Sequence, residues 1–386
     1  MQLSELWQTH AMTPPPILIA GAGIAGLAAA LACCNHDCIV MEQAPAFSPI
    51  GAGLQLGPNA VRALQRLGAW DAVQPMTSSP PAIHMHDGMS GKILKVLPLG
   101  QRFEKRYGAP YRVAHRADLH TALLECVTRH SNIDVRLSVK ITSVTPHLDH
   151  VAVTANNTTQ TCQSMIATDG VNSLIRSNLF PGTSAIDSDF EFHRALFSAP
   201  SPGLANIALD CVNVWMYPHG HVVHYPVGKK QRLNIVAITP QGTSVTSHFS
   251  KACTDLQNLL HAARDHWTLW TGLYAPALKT WTKGGVLLLG DAAHGTLPFL
   301  AQGAAMALED AACLLEVLKS THSLSHAFAE TAARRMARTT RLHQASLRAG
   351  RIYHASGALR LMRNAALTTT PPSLITAGLD WIYRGT

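Results

Sequence analysis

Six residues near the start of the chain, Gly21-Ala22-Gly23-Ile24-Ala25-Gly26, have the types and spacing to hold a diphosphate. The first glycine suits a tight turn, the second leaves room for phosphates, and the third lets a helix approach a strand closely. A helix opening here turns the free N–H groups of Ile24, Ala25 and Gly26, and a partial positive charge, toward the anion. Glu42, about twenty residues on, stands where a carboxylate takes ribose hydroxyls, with Gln43 beside it. A carboxylate at that place argues against a 2′-phosphate. The set reads as a dinucleotide site, and by itself it does not separate FAD from NAD, since both carry an adenosine ribose.

For that loop to work, a strand must end at Gly21 and a helix must start behind it. The apolar run 17–20 supplies the strand, the alanine-rich stretch 26–34 the helix, and 38–41 a second strand, a βαβ opening. Helices are expected over 58–68, 119–129 and 303–319, and strands over 134–137, 141–145, 151–154, 165–167 and 286–289. From about residue 190 to 239 the pattern turns antiparallel, with strands 212–216, 221–227 and 233–238 separated by turn clusters at 218–220 and 228–230. On the 221–227 strand His221, Val223 and Tyr225 face one side, Val222 and His224 the other. His224 is expected to be a packing histidine.

The balance of residues excludes several classes. With 47% apolar and 14% charged residues in 386, the chain is globular rather than disordered. The net charge of +8 suits anionic partners such as a dinucleotide or a carboxylated substrate. Eight arginines between Arg334 and Arg363, with no carboxylate among them, read as a solvated helix face, with membrane contact as the sharper alternative. No aromatic-interleaved basic run points to nucleic acid. The eight cysteines form no CxxC pair, which fits buried thiols in a reducing cytoplasm. Cys33, Cys34, His36 and Cys38 crowd together without zinc spacing, so no metal is expected. Residues 1–16 lack the pattern of a secretory signal, and no segment reads as a membrane span.

Two distal segments separate the cofactors. Ala167-Thr168-Asp169-Gly170-Val171-Asn172-Ser173-Leu174-Ile175-Arg176 resembles the DG motif of single-component flavoprotein aromatic hydroxylases. Leu289-Gly290-Asp291-Ala292-Ala293-His294, with Pro298 and Gly303, resembles their GD motif. The segments 51–60, 111–119 and 298–303 are similar to the salicylate hydroxylase and 3-hydroxybenzoate 6-hydroxylase branch. The likeness runs from about residue 17 to at least 319. Gly295 stands where the family usually has proline, and Ala167-Thr168 where it has a Gly-Ala pair.

The resemblance implies an α/β fold. Its discontinuous Rossmann-like FAD-binding domain would span 17–80, 108–185 and 281–330. An inserted, mainly antiparallel β-sheet substrate domain would take 81–107 and 186–280, after an N-terminal extension 1–16 and before a C-terminal helical region 331–386. It implies tightly bound FAD, with Asp291 taking the ribityl hydroxyls and Arg116 the diphosphate or ribityl chain. Asp169 would serve FAD and the docking of a transient NADH or NADPH, and the helix start at Gly303-Ala304 would face the flavin. The implied reaction hydroxylates a small phenolic acid with O2 through a flavin C4a-hydroperoxide. His221 would be the base, with Tyr225 and Gln302 in the pocket and Pro298 beside the oxygen. The working state would be a monomer or homodimer. A free histidine near pKa ~6.5 lies roughly 3.5 units below a phenol near ~10, so full proton transfer is about 5 kcal/mol uphill. His221 alone therefore does not hold a phenolate. Two other readings remain open here, a hydroxylase of a larger isoprenoid phenol and a flavin-binding regulator without turnover.

Overall fold

In the computed structural model, which describes residues 15–47, 52–198, 204–228 and 232–385, the Ile17–Ala20 strand lies inside a six-stranded sheet. All four of its side chains are buried, as a strand covered on both faces requires. The order is Thr282–Lys283, Val286–Leu288, Met165–Ala167, Ile17–Ala20, Cys38–Met41, Ile133–Arg136. Every pairing is parallel except the edge one between Thr282–Lys283 and Val286–Leu288. Ala20, Ala167 and Leu288 lie in register on three adjacent strands. The loops that follow, at 21, 169 and 291, therefore emerge side by side at the carboxyl edge of the sheet, where open α/β sheets bind ligands.

The helix expected over 26–34 runs over Ile24–Ala32, so Gly26 sits inside its first turn. The one expected over 119–129 begins three residues earlier, at Arg116. Gly303–Leu318 packs against both Ile24–Ala32 and Pro58–Arg66.

A seven-stranded sheet gathers residues from two separated stretches, in the order Thr268–Tyr274, Ile186–Ser198, Arg232–Pro240, Gly220–Val227, Val212–Tyr217, Ala82–Asp87, Ile93–Pro98. It is antiparallel apart from the parallel pairing of Val212–Tyr217 with Ala82–Asp87. Its two faces have different neighbours. Trp215, Val222, Ile235 and Ala237 pack under Leu256 and Leu259 of the Thr254–Ala262 helix. His221, Val223 and Tyr225 turn the other way, toward Phe299 and the Gly53–Leu56 strand.

The arginine-rich stretch divides. Arg334, Arg341, Arg348 and Arg351 are exposed, as expected of a solvated face. Arg335 is fully buried: its Nε donates to Asp310 Oδ1 at 2.8 Å and its Nη2 pairs with Glu309 Oε2 at 2.8 Å. Arg338 also reaches Glu309, and Arg360 and Arg363 pair with Asp87. These four correct the reading of a wholly solvated face. Among the described residues no helix is long and apolar enough to cross a membrane. Gly51, Lys229, Lys230 and residues 1–14 of the N-terminal extension lie outside the described residues.

Removing Arg335 leaves two buried carboxylates short of a cation. Arg335→Met is expected to cost about 3–5 kcal/mol in thermal or denaturant unfolding, whereas loss of the exposed Arg334–Glu330 pair leaves the midpoint nearly unchanged. A second expectation concerns pH. Burial lowers the pKa of His86, His193, His221, His224, His248 and His354. Each then binds fewer protons folded than unfolded, so stability is complete above the unfolded value of ~6.5 and declines as pH falls below it. Glu309 and Asp310 are also buried, yet their arginine and histidine partners hold both carboxyls below the ordinary range, which adds a second loss below about pH 4. The melting temperature should start to fall near pH ~6.5. A melting temperature flat down to about pH 5 would contradict the buried neutral imidazoles.

Candidate functional site

Gly21 has φ +94°, and a Cβ there would stand 2.8 Å from the Thr168 carbonyl oxygen. A Cβ on Gly26 would stand 1.8 Å from the Gly21 carbonyl oxygen. Both positions admit only glycine. Gly23 is the opposite case, since a Cβ there would meet nothing within 4 Å and no side chain caps the helix it precedes. The N-terminus of Ile24–Ala32 thus faces open space with its N–H groups available, and Ile24 is buried while Ala25 is partly open. Glu42 accepts from Ala22 N through Oε2 and from Ala44 N through Oε1, both at 2.9 Å, and Gln43 is exposed beside it.

Asp291 is crowded by protein on its flanks, yet it remains exposed to solvent. Burial pushes its pKa up against the pull of His294 and of Arg116, which is exposed in the same cleft. Gly303 and Ala304 start an uncapped helix, again with open space before the first residue. An extended dinucleotide fits these residues, with an uncapped helix at each end, a carboxylate at Glu42 and another at Asp291.

The middle segment serves mainly the protein itself. Asp169 accepts from Ser173 Oγ at 2.5 Å and from Ile175 N at 3.2 Å, so its contacts are to its own turn. Burial raises its pKa. Arg176 is fully buried and donates to the Ala293 carbonyl at 2.8 Å and to the Ala292 and Pro276 carbonyls, bracing the 291 loop.

On the sheet face that meets the cleft, His221 is 2% exposed and burial holds its pKa well below the ordinary imidazole value. Its ring lies 5.6 Å from that of Phe299 and 5.2 Å from that of Tyr353. Pro298, one residue before Phe299, is exposed to the cleft. Tyr225 is buried against Gly53, with its hydroxyl bonded to Gln55, and burial raises its pKa. His221 and Tyr225 are about 14 Å apart along the strand. His224 points into the opposite core, where its Nδ1 accepts from Trp215 Nε1 at 3.1 Å and burial lowers its pKa to about 3.

Gln302 is buried, but its carbonyl accepts from Asn59 Nδ2 at 2.9 Å, which ties it toward the Pro58–Arg66 helix. Two residues not singled out from the sequence lie close to this face. Arg194 pairs in register with Val236, which pairs with Val223; its Nε is buried without a hydrogen-bond partner and its guanidinium lies 5.0 Å from the Trp270 ring centroid. Burial lowers its pKa, and the charge of Arg116 adds to that while Tyr225 opposes it. His354 bonds His221 directly. The signal for Arg194 was a charge between Phe192 and Leu196 at inward-facing spacing; His354 had no local signal.

The two kinds of glycine separate in a test. Gly23→Ala is expected to fold normally and to lose flavin on gel filtration, because the methyl fills the phosphate approach. Gly26→Ala is expected to yield little folded protein at all. Flavin absorbance and the melting temperature read the two outcomes.

Residues 15–340 match the family model described as FAD binding domain. The chain is 32% identical over 384 residues to 3-hydroxybenzoate 6-hydroxylase of Polaromonas naphthalenivorans, covering 95% of each chain. It is 32% identical over 354 residues to 6-hydroxynicotinate 3-monooxygenase of Pseudomonas fluorescens, covering 86% of this chain and 90% of that one. The fold matches that of Klebsiella pneumoniae HpxO, solved with FAD and uric acid, with a TM-score of 0.86, 23% identity, and 96% and 97% of the two chains covered. With three loops converging on one cradle and likeness along nearly its whole length, this chain belongs to the family of FAD-dependent aromatic-ring monooxygenases.

Proposed function

We propose that this chain adds one oxygen atom to a small ring bearing both a hydroxyl and a carboxylate, using FAD and a transient NADH or NADPH. The observation that carries the reading is the pairing, on one sheet face, of an acceptor for the hydroxyl and a cation for the carboxylate. His221 stands at one end; Tyr225 stands at the other, within the field of Arg194. Two hydrogen bonds of ~2.8 Å leave roughly 8 Å of the ~14 Å span, enough for one substituted ring. Val223 and Val236, paired in register, form its apolar floor. The names of the two relatives above each denote a ring with a hydroxyl and a carboxylate.

In this reading residues 17–80, 108–185 and 281–330 hold the cofactor. Residues 81–107 and 186–280 hold the substrate, and 331–386 close over both. FAD held in the cradle would supply the redox and oxygen chemistry that the transient nicotinamide feeds and that adds one oxygen atom to the ring. The protein's part is placement and charge. Asp291 and Glu42 take hydroxyls of the cofactor, Gly23 and the following N–H groups its diphosphate, and Arg116 the chain between. Asp169 steadies the loop against which the donor docks. The N-terminus at Gly303 and Ala304 offers a positive potential to a reduced flavin, and Pro298 lines the gap between cofactor and ring. His221 accepts the ring hydroxyl, which makes the ring more electron-rich as it is attacked. Tyr225 orients the acid end, and Gln302 keeps the start of the Gly303–Leu318 helix in place. All eight cysteines are free thiols, in keeping with work in the cytoplasm, and the working unit in this reading is a monomer or homodimer.

The test is a panel of 3-hydroxybenzoate, salicylate, 6-hydroxynicotinate and phenol, scored for stimulated NADH and NADPH oxidation and for product. A ring acid should stimulate both, and phenol should be poorer by roughly 10–100-fold in kcat/KM, the worth of a charge-assisted hydrogen bond. Arg194→Met should raise KM for the acid by a similar factor with little change in kcat, and leave phenol unaffected. Equal rates for phenol and the acids, or no stimulation by any of them, would defeat the proposal.

A further inference from the structure

We propose that His354 receives the proton that His221 takes from the ring hydroxyl and passes it toward solvent, so that the two imidazoles work as a relay. The inference rests on the assignment of His221 made above. His221 Nδ1 and His354 Nε2 are 2.8 Å apart. His354 is fixed from two sides: its N–H donates to the Gly350 carbonyl at the end of the Leu324–Tyr353 helix, and its carbonyl accepts from His219 N at 2.9 Å. The rings of Phe190 and Phe299 pack on it at 4.9 and 5.4 Å. A side chain held this way has its acceptor or donor pointed at His221 before any substrate arrives.

The geometry moves the proton one step outward from His221. His221 is enclosed on all sides and stays neutral, so a proton left on it would be a buried, unpaired charge. In the tautomer where His221 Nδ1–H donates to His354 Nε2, the Nε2 of His221 carries the lone pair that would accept the ring proton. As the ring O–H bond breaks, its proton forms a bond to His221 Nε2, and the Nδ1 proton of His221 moves to His354 Nε2. His221 remains neutral with its tautomer reversed, and the positive charge passes only transiently through His354, whose pKa burial also holds well below the ordinary imidazole value. When the hydroxylated ring regains its aromatic system the oxygen takes a proton back along the same path, so no proton is consumed.

The path beyond His354 leads outward. Exposure rises from His221, at 2%, to the half-buried His354 and His248 and then to the exposed His219. His248 packs over Gly220, where a Cβ would stand 2.6 Å from its Nε2, a nitrogen with no hydrogen-bond partner among the described residues. Among the described residues, the titratable groups facing the pair are Tyr353, His248 and His219. Tyr353, its hydroxyl pushed up to about 12 by burial, stays neutral, while His248 and His219 disfavour a lasting charge on His354 and so favour its release.

The test uses the full FAD-loaded protein and 3-hydroxybenzoate. Ionisation of the bound ring hydroxyl is followed by ultraviolet difference absorption through a rapid pH jump, and product is scored per NADH oxidised. His354→Gln keeps one hydrogen bond to His221 but cannot carry a proton onward. It should slow ionisation at least roughly tenfold, shift the pH profile of product yield upward, and leave KM for the acid near that of the unaltered protein. His354→Ala should show the same loss and recover with added 4-methylimidazole, which covers the case in which the glutamine variant fails to fold. Unchanged ionisation and coupling in His354→Gln, or no recovery of His354→Ala with 4-methylimidazole, would overturn the relay. If the unaltered protein neither ionises nor hydroxylates any ring acid, it is the assignment of His221 that fails instead.

Discussion

The carboxylate of Asp310 is the point on which the rest of the site depends. It is fully buried, and burial alone would push its pKa up; His294 and Arg335 outweigh that and hold it ionised. One oxygen takes His294 Nε2 at 2.5 Å and the Gly290 N–H at 3.2 Å, the other the Arg335 Nε at 2.8 Å. A single side chain on Gly303–Leu318 thereby fixes the loop that carries Asp291 and the long helix that ends at His354. Such an arrangement adds little stability over an apolar core, because desolvation takes back most of the attraction. Its value is positional, since neither the loop nor the helix can shift without leaving a charge buried and unpaired. Glu309, next in the chain, extends the hold through Arg338, and through it to the carbonyls of Trp381 and Ile382.

A second constraint is the two-sidedness of the seven-stranded sheet. Strand alternation sends Trp215, Val222 and His224 into one core and His221, Val223 and Tyr225 to the cleft. A slip of one residue would exchange His221 for Val222 and bury Arg194 under the Thr254–Ala262 helix. The core face resists that slip through the Trp215–His224 hydrogen bond and the His86 ring stacked 4.0 Å from Trp215. His224, which touches nothing in the cleft, thus helps to decide which histidine does.

Much of this was legible in the sequence where the constraint is local. The glycine spacing at 21–26 is set by a turn and a close approach within one βαβ unit, and Glu42 follows from the length of that unit. The face of His221 and Tyr225 follows from a period of two. The sequence was less informative wherever a partner comes from far along the chain. Gln302 reads as a pocket group, and the bond its carbonyl accepts from Asn59, 243 residues away, had no local signal. Asp169 reads as serving the cofactor and its donor, and the hydrogen bonds that tie it to Ser173, and Arg176 to the carbonyls at 292 and 293, had no signal of their own in the sequence. The arginine-rich run conceals four ion-pair members, Arg335 and Arg363 of them buried, because their acids lie at 87, 309 and 310. His354 is meaningful only after a thirty-residue helix has carried it back to the sheet.

The same division explains the excess positive charge. Arg335, Arg338, Arg360 and Arg363 are matched by carboxylates inside the protein and do not contribute to an external field. Arg116 and Arg194 differ. Burial, and in smaller part the charge of Arg116, disfavour the charge of Arg194, which lies by Tyr225 and the face of Trp270, while Asp291 feels Arg116. Two cations converging on a cleft of low polarity focus its potential and favour anions within it. One of them lies on the cofactor side and one on the sheet side. In the function proposed above the two cations would serve two anions, a dinucleotide and an acid, and holding these at fixed separation would bring the ring of the second against the reactive end of the first.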